Sequence, residues 1–315
     1  MFRLSKFNCF AFLLAFLALS YEARSLELEP LIEPDDLNQI LGYESLKIID
    51  IRGEQYLEGH ITGAIWSPYF TWRGPQENPG ALLNTSQLTQ VVRKAGITLE
   101  DSLVIVYQGN NSTEFGSAAR VYWTLKSIGI KSISILNGGI KAWSDEAFSL
   151  TRDVTSVVPS YLNIEFNNQW LSTSDDVKDI VYGSTSGLLL DARPKTFYMG
   201  KKQHPSASTP GTLPNAVLFP HYSWFKNGNG NIMQQVPAKE YFQKSEIFET
   251  HGKVISFCNT GHWAATNWFA LSELANVEGV TLYPESMVGW SNKDLEMMNK
   301  PGVWEKITDL FSSDD

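Results

Sequence analysis

The sequence holds two cysteines, and one of them stands where a thiol can be made reactive. Around Cys258, the apolar run Val254 to Phe257 reads as a short buried strand, and Ala264 to Leu274 reads as a helix with apolar residues at helical spacing. Between them lies a tight loop that begins with Cys258 and contains Gly261. A cysteine at this junction lies where the backbone N–H groups of Asn259, Thr260, Gly261, His262, Trp263 and Ala264 can converge on its sulfur. A helix N-terminus and a ring of amides both stabilise negative charge, so the position favours a thiolate, the nucleophilic form of cysteine. The other reading of Cys258 is a small buried core residue, the usual fate of an unpaired cysteine.

The N-terminus bears on that choice. Arg3 and Lys6 precede an apolar run from Phe7 to Leu19, and Ala18 and Ser20 are the small residues of a cleavage site, which together make the pattern of a secretory signal peptide over residues 1–24. The run is short for a membrane span, and an uncleaved anchor is the alternative. No lipid-attachment pattern surrounds Cys9, which lies inside the run. The expected location is therefore the periplasm or the exterior, with no membrane association once the signal is cleaved. Loss of Cys9 with the signal leaves Cys258 as a lone thiol. In an oxidising compartment a lone thiol has no internal disulfide partner and is reactive or intermolecular, and a cysteine-based zinc site is excluded.

About 290 residues after removal of residues 1–24 suit two domains better than one. The formal net charge of -9 argues against nucleic acid and anionic membranes as partners, and leaves room for a locally positive pocket that takes a small anion. The five histidines form no metal-ligand spacing, no glycine-rich nucleotide loop follows a strand, and no cofactor is expected.

The elements that must position Cys258 are written twice. Leu46-Lys47-Ile48-Ile49-Asp50-Ile51-Arg52 is a buried-strand run ending in Asp-x-Arg. It is followed by Gly59-His60-Ile61-Thr62-Gly63-Ala64, the apolar run Leu103 to Val106, a helical stretch from Ala118 to Ile128, and Asn137-Gly138-Gly139-Ile140-Lys141-Ala142-Trp143. The same order recurs as Leu188 to Arg193, Gly211 to Val217, Val254 to Cys258, the helix, Val280 to Tyr283 and Pro284 to Trp290. Short apolar strands alternating with helical stretches make each copy an α/β unit with a mostly parallel sheet flanked by helices. The expected organisation is a first domain over residues 25–150, a linker over 151–168 and a second domain over 169–315. The polar stretch from Ser144 to about Asn168 marks the joint. Aligning the copies places Gln108 opposite Cys258, so the first domain is expected to lack the nucleophile and to shape the mouth of the second.

In the repeated Asp-x-Arg, the Gly59 to Ala64 stretch, the Asn137 to Trp143 stretch and the single Cys-x-x-Gly loop, nearly the whole chain after the signal resembles a tandem-domain rhodanese of the thiosulfate and mercaptopyruvate sulfurtransferase family, in an exported bacterial form. The resemblance implies a cysteine that cycles between thiolate and persulfide. It takes the outer sulfur of thiosulfate or a similar small anion, releases sulfite, and passes the sulfur to cyanide or a thiol. Arg193, carried over from the Asp-x-Arg motif, is then the candidate to hold the donor anion, its planar fork matching two oxygens; the matching Asp50-Ile51-Arg52 makes a structural ion pair the alternative.

The sequence departs from thiosulfate-specific relatives in the loop itself, where Asn259, Thr260, Gly261, His262 and Trp263 include no permanent cation. His262 could supply a conditional charge or a hydrogen bond, and Trp263 an apolar wall; a loop donor and a packed core residue are the respective alternatives. Lys201, Lys202 and His204 lie in an extra segment, Lys201 to Pro210, read as a candidate lid that brings positive charge, or else as a solvated loop. A cysteine phosphatase would need an arginine at the far end of the loop, where Ala264 stands. A sulfur carrier or anion-binding module that loads Cys258 for a periplasmic sulfur-relay partner, without turnover on small acceptors, is the other functional class.

Overall fold

The computed structural model describes residues 26–225, 238, 240 and 252–302. The expected signal peptide, with Cys9, lies outside the described residues. In the first half, β1 (Leu31–Ile32), β2 (Leu46–Asp50), β3 (Ile65–Trp66), β4 (Ser102–Val106) and β5 (Ser132–Leu136) form a parallel sheet in the order β1-β5-β4-β2-β3. In the second half, β6 (Leu188–Asp191), β7 (Val217–Leu218), β8 (Val254–Phe257) and β9 (Val280–Leu282) form a parallel sheet in the order β7-β6-β8-β9. Laying β2 to β5 on β6 to β9 reproduces one topology, and a single parallel bridge from Leu171 to Leu282 takes the place of β1 beside β5. Every residue of β4 and of β8 is buried, as expected of a central parallel strand covered by helices on both faces. The two tandem α/β units, each a parallel sheet flanked by helices, are the fold class the sequence pattern implies.

The central pair of helices brings the two halves together. Ser112–Ser127 is buried on most of its circumference, and its first turn is capped by Asn111, whose side chain accepts from the N–H groups of Thr113 and Glu114. The second-domain helix begins at His262, two residues before the periodicity places it, and from Phe269 to Leu274 it widens into a π-helix. The sequence period cannot separate these two windings. The widened turn places Phe269 edge-on against Phe115 and Tyr122 of the first-domain helix. The helices cross at Gly116, where a Cβ would stand 2.7 Å from the His262 carbonyl oxygen, so the approach needs a residue without a side chain. One apolar cluster therefore runs from Ile105 and Phe115 through Trp268 and Phe269 to Leu282.

Between the helix Gly139–Asp145 and Asn168 the chain carries no helix or strand. It is strapped along the first domain by an antiparallel bridge from Thr151 to His60, by Arg93 donating from Nε to the Leu162 carbonyl, and by the Asn167 N–H donating to Ser127.

Candidate active site

The sheet register fixes which residue of the first domain corresponds to Cys258, and it corrects the expected alignment. Asp50 pairs with Val106 as Asp191 pairs with Phe257, so the residue that follows the strand is Tyr107 in one copy and Cys258 in the other. The next hydrogen bonds agree. Ile140 donates to the Tyr107 carbonyl as Met287 donates to that of Cys258, and Lys141 donates to Gln108 as Val288 donates to Asn259. Gln108 is thus the counterpart of Asn259. It lines up with Cys258 only when counted back from the helix start, because the first-domain loop is one residue longer.

Cys258 is fully buried at the end of β8, and its Sγ accepts the Gly261 N–H at 3.1 Å. Gly261 holds φ of 85° and starts the helix without any side-chain cap, so the amides of that turn are left facing the loop. The Cys258 N–H donates to the Ser286 hydroxyl at 3.0 Å, and that hydroxyl donates to the Tyr283 carbonyl at 2.8 Å. The loop that carries the thiol is itself tied down, with the Met287 and Val288 N–H groups donating to the Cys258 and Asn259 carbonyls. Ala264 is buried, and its carbonyl accepts from the Ser256 hydroxyl.

Arg193 is 2 % exposed and engaged elsewhere. Its Nε and Nη2 grip Asp191 at 2.8 and 2.6 Å, Nη2 also donates to the Gly211 carbonyl, and Nη1 reaches Asn259 Oδ1 at 3.3 Å. Arg52 does the same with Asp50 and the Gly59 carbonyl in the domain without a thiol. The anion-holding position assigned to Arg193 from its motif is therefore occupied by a structural ion pair, which braces the strand-to-helix loop through Asn259.

His262 is not a conditional cation near neutrality. Burial, with Arg73, His221, Arg120 and His204 around it, pushes its pKa down to about 3. Thr260 Oγ1 accepts from Arg73 Nη2 at 3.3 Å and lies 3.2 Å from His262 Nδ1. The threonine hydroxyl thus bridges the Arg73 guanidinium and the His262 ring. Trp263 forms a wall: it stacks on His221 at 4.9 Å, meets Phe197 edge-on, and donates from Nε1 to Thr113 Oγ1 of the first domain. His221 donates from Nδ1 to the Ala192 carbonyl and is also neutral, with burial pushing it down to about 4.

The segment from Lys201 to Pro210 is pinned to the second domain by Ser208, which bonds Ser291, and by Asn292, which donates to the Ser206 carbonyl. His204 turns inward near Arg73, with burial and that cation lowering its pKa. Lys201 and Lys202 are exposed. The segment brings no lysine side chain into contact with the cysteine loop among the described residues.

Three residues around the thiol escape the sequence reading, and all belong to the first domain: Tyr69, Arg73 and Arg120. Tyr69 faces His262 edge-on, and the Arg73 guanidinium lies over the Tyr69 ring at 5.3 Å. Burial pushes the Tyr69 phenol up, the two arginines draw it down, and a Cys258 thiolate pushes it up again, so these groups share one field. Arg120 carries a legible signal, a charge inside the apolar helical run Ala118 to Leu125. Arg73 lies in an aromatic, proline-rich loop and carries none.

The rhodanese-like domain, as a sequence family, matches this chain twice, over residues 33–146 and 170–293. A provisionally named thiosulfate sulfurtransferase of Synechococcus elongatus is 25% identical over 83% of this chain and 82% of its own length. The 3-mercaptopyruvate sulfurtransferase of Escherichia coli is 24% identical over 75% of this chain and 82% of its own. Among solved structures, SseA of Escherichia coli, which has the rhodanese fold of 3-mercaptopyruvate sulfotransferases, superposes with a TM-score of 0.70 at 21% identity over 82% of this chain and 98% of its own. An anaerobic ergothioneine biosynthesis enzyme from Chlorobium limicola superposes with a TM-score of 0.71 at 19% identity, over 84% of this chain and 68% of its own. At these identities the two structures speak for the fold.

Proposed function

The chain belongs to the rhodanese-like family, with the domain present in tandem, and from that premise we propose that it is a thiosulfate sulfurtransferase working through a persulfide on Cys258. The observation that carries this reading is the Gly261 amide donating to the Cys258 sulfur at the uncapped start of a helix. A thiolate is stabilised there, and the same amides tolerate the charge when it moves one sulfur outward. In the first half-reaction the Cys258 thiolate attacks the outer sulfur of thiosulfate. The new S–S bond forms as the old one breaks, sulfite leaves with the electron pair, and the charge ends on the terminal sulfur of the persulfide. In the second, cyanide or a thiolate takes that terminal sulfur and returns the Cys258 thiolate, so no oxidant or reductant is consumed. Full burial of Cys258 favours a small acceptor over a docked protein.

Intact-mass measurement after thiosulfate, then after cyanide, tests the proposal. The expected result is a gain of one sulfur atom that cyanide removes over many cycles, and no gain in Cys258→Ser. Loading without turnover on cyanide or small thiols would favour a sulfur carrier, and a loaded Cys258→Ser would remove Cys258 from the mechanism. Residues 1–24 are proposed as a cleaved export signal, and a mature chain that retains them in its measured mass would refute that.

A further inference from the structure

We propose that Arg73 and Arg120, both contributed by the first domain, form the anion seat of the Cys258 site and hold the oxygens of a small dianionic sulfur donor while its terminal sulfur meets the thiol. The chemical identity of the anion rests on the sulfurtransferase reading; the seat itself rests on the two cations.

Arg120 is 3 % exposed, lies over the Trp123 ring at 5.1 Å, and donates from Nη2 to the Gly80 carbonyl at 3.2 Å. Among the described residues no carboxylate pairs with it or with Arg73, whereas Arg52 and Arg193 are each closed by an aspartate. The Nε atoms of both Arg73 and Arg120 are buried without a hydrogen-bond partner. A buried guanidinium without an anion is expensive, so Arg120, with the half-buried Arg73 beside it and donors to spare on both, marks a place that an anion fills. Burial lowers the Arg120 pKa, with Tyr69 raising it, the nearby Arg73 lowering it and a Cys258 thiolate raising it.

Position ties the pair to the thiol. A Cβ on Gly261 would stand 2.3 Å from Arg120 Nη1, and the N–H of that same glycine is the donor to Cys258 Sγ. Arg73 Nη2 reaches Thr260 Oγ1, one residue earlier in the loop. The two guanidinium groups therefore border consecutive residues of the cysteine loop. The first-domain segment that carries Arg73 is fixed against the second domain, because Asn78 donates to Glu285 Oε1 and Gly80 lies so close to Pro284 that a Cβ there would stand 2.2 Å from its carbonyl oxygen. Arg193 is spent on Asp191, and His262 and His221 are neutral, so the described residues of the second domain offer no free cation at its own thiol. Two permanent charges suit a dianion such as thiosulfate, and each planar fork offers paired donors to its oxygens.

Titration of thiosulfate into Cys258→Ser protein by calorimetry reads the seat without chemistry. Adding Arg73→Gln or Arg120→Gln should weaken binding about tenfold or more, since each removes charge-assisted hydrogen bonds to the anion, and Arg120→Lys should fall between. Cooperative thermal unfolding of each variant checks that it folds, and if Arg120→Gln does not, Arg73→Gln on the half-buried side decides the matter. Unchanged affinity in a folded glutamine variant, or no binding to the Cys258→Ser parent, would overturn the seat. If that happens while wild-type protein still loads sulfur, the sulfurtransferase reading stands. Weakened binding in the variants combined with no sulfur loading would sustain the seat and sink the sulfurtransferase reading.

Discussion

Tyr107 and Cys258 leave equivalent strands at the same register, pass through loops tied down by equivalent backbone hydrogen bonds, and end at the two helices that pack on each other. What differs is the capping. In the first copy, Asn111 takes the Thr113 and Glu114 amides, and Glu114 takes that of Asn110. In the second, Gly261 caps nothing and its amide turns to sulfur. A helix start satisfied by its own side chains is finished structure, and one left open is a site for charge. The first copy, freed of chemistry, instead offers its helix and the loop beyond Tyr69 to its neighbour, so Arg73 and Arg120 stand at the thiol of the other domain.

The aspartate–arginine pairs are common to both copies, and breaking them should have the largest effect. Asp50→Asn and Asp191→Asn each leave a buried guanidinium without its carboxylate, and each should cost about 3–5 kcal/mol in urea unfolding. The comparison sharpens in the activity of the protein that remains folded. Asp191→Asn also loosens the Arg193 contact to Asn259 and should slow sulfur transfer, whereas Asp50→Asn should leave the rate per folded molecule close to wild type. Equal losses of rate would mean that the two pairs serve the thiol alike.

A smaller difference appears on acidification. His221 occupies the place that Tyr69 holds in the first copy, since their N–H groups bond Ala192 and Ile51 equivalently, and the second copy therefore carries the titrating pair His221 and His262. Burial holds both below the ordinary histidine value of 6.5 in the folded protein, at about 4 and about 3. Between those values the unfolded chain binds the extra protons, so their stabilising contribution is complete above pH 6.5 and is lost as pH falls toward 4 and then 3. Urea midpoints measured from pH 7 to pH 4 should fall along that window, and less steeply in His221→Gln and His262→Gln. A slope unchanged in both variants would assign the acid sensitivity to other groups.

Much of this molecule is legible in its sequence because the signals are local and repeated. Buried parallel strands read as apolar runs, two copies in one order give two sheets, and a lone cysteine at a strand end marks the thiol. The alignment of the copies slips by one residue because the first-domain loop is one residue longer and the inserted residue has no signature; only the pairing of β2 with β4 and of β6 with β8 shows it. Arg193 misleads for a related reason. Its motif is a true one, and its neighbour Asp191 makes it structural. Arg73 and Arg120 lie 185 and 138 residues before Cys258 in the sequence, and docking of two domains is what makes them neighbours of the thiol.

The smallest expected effect is the most direct test of the comparison. Tyr107→Cys puts a thiol at the position that register makes equivalent to Cys258, on the same strand of the same fold. It should nonetheless take up no sulfur. The amides of the following turn are already bonded to Asn111 and Glu114, the loop is one residue longer, and the Glu114 carboxylate beside it disfavours a thiolate. Intact mass after thiosulfate should show one added sulfur in Tyr107→Cys, as in wild type, and none in the double variant Tyr107→Cys with Cys258→Ser. A second added sulfur would mean that strand register alone is enough to make a reactive cysteine in this fold, and that the open helix start at Gly261 is not what separates the two copies.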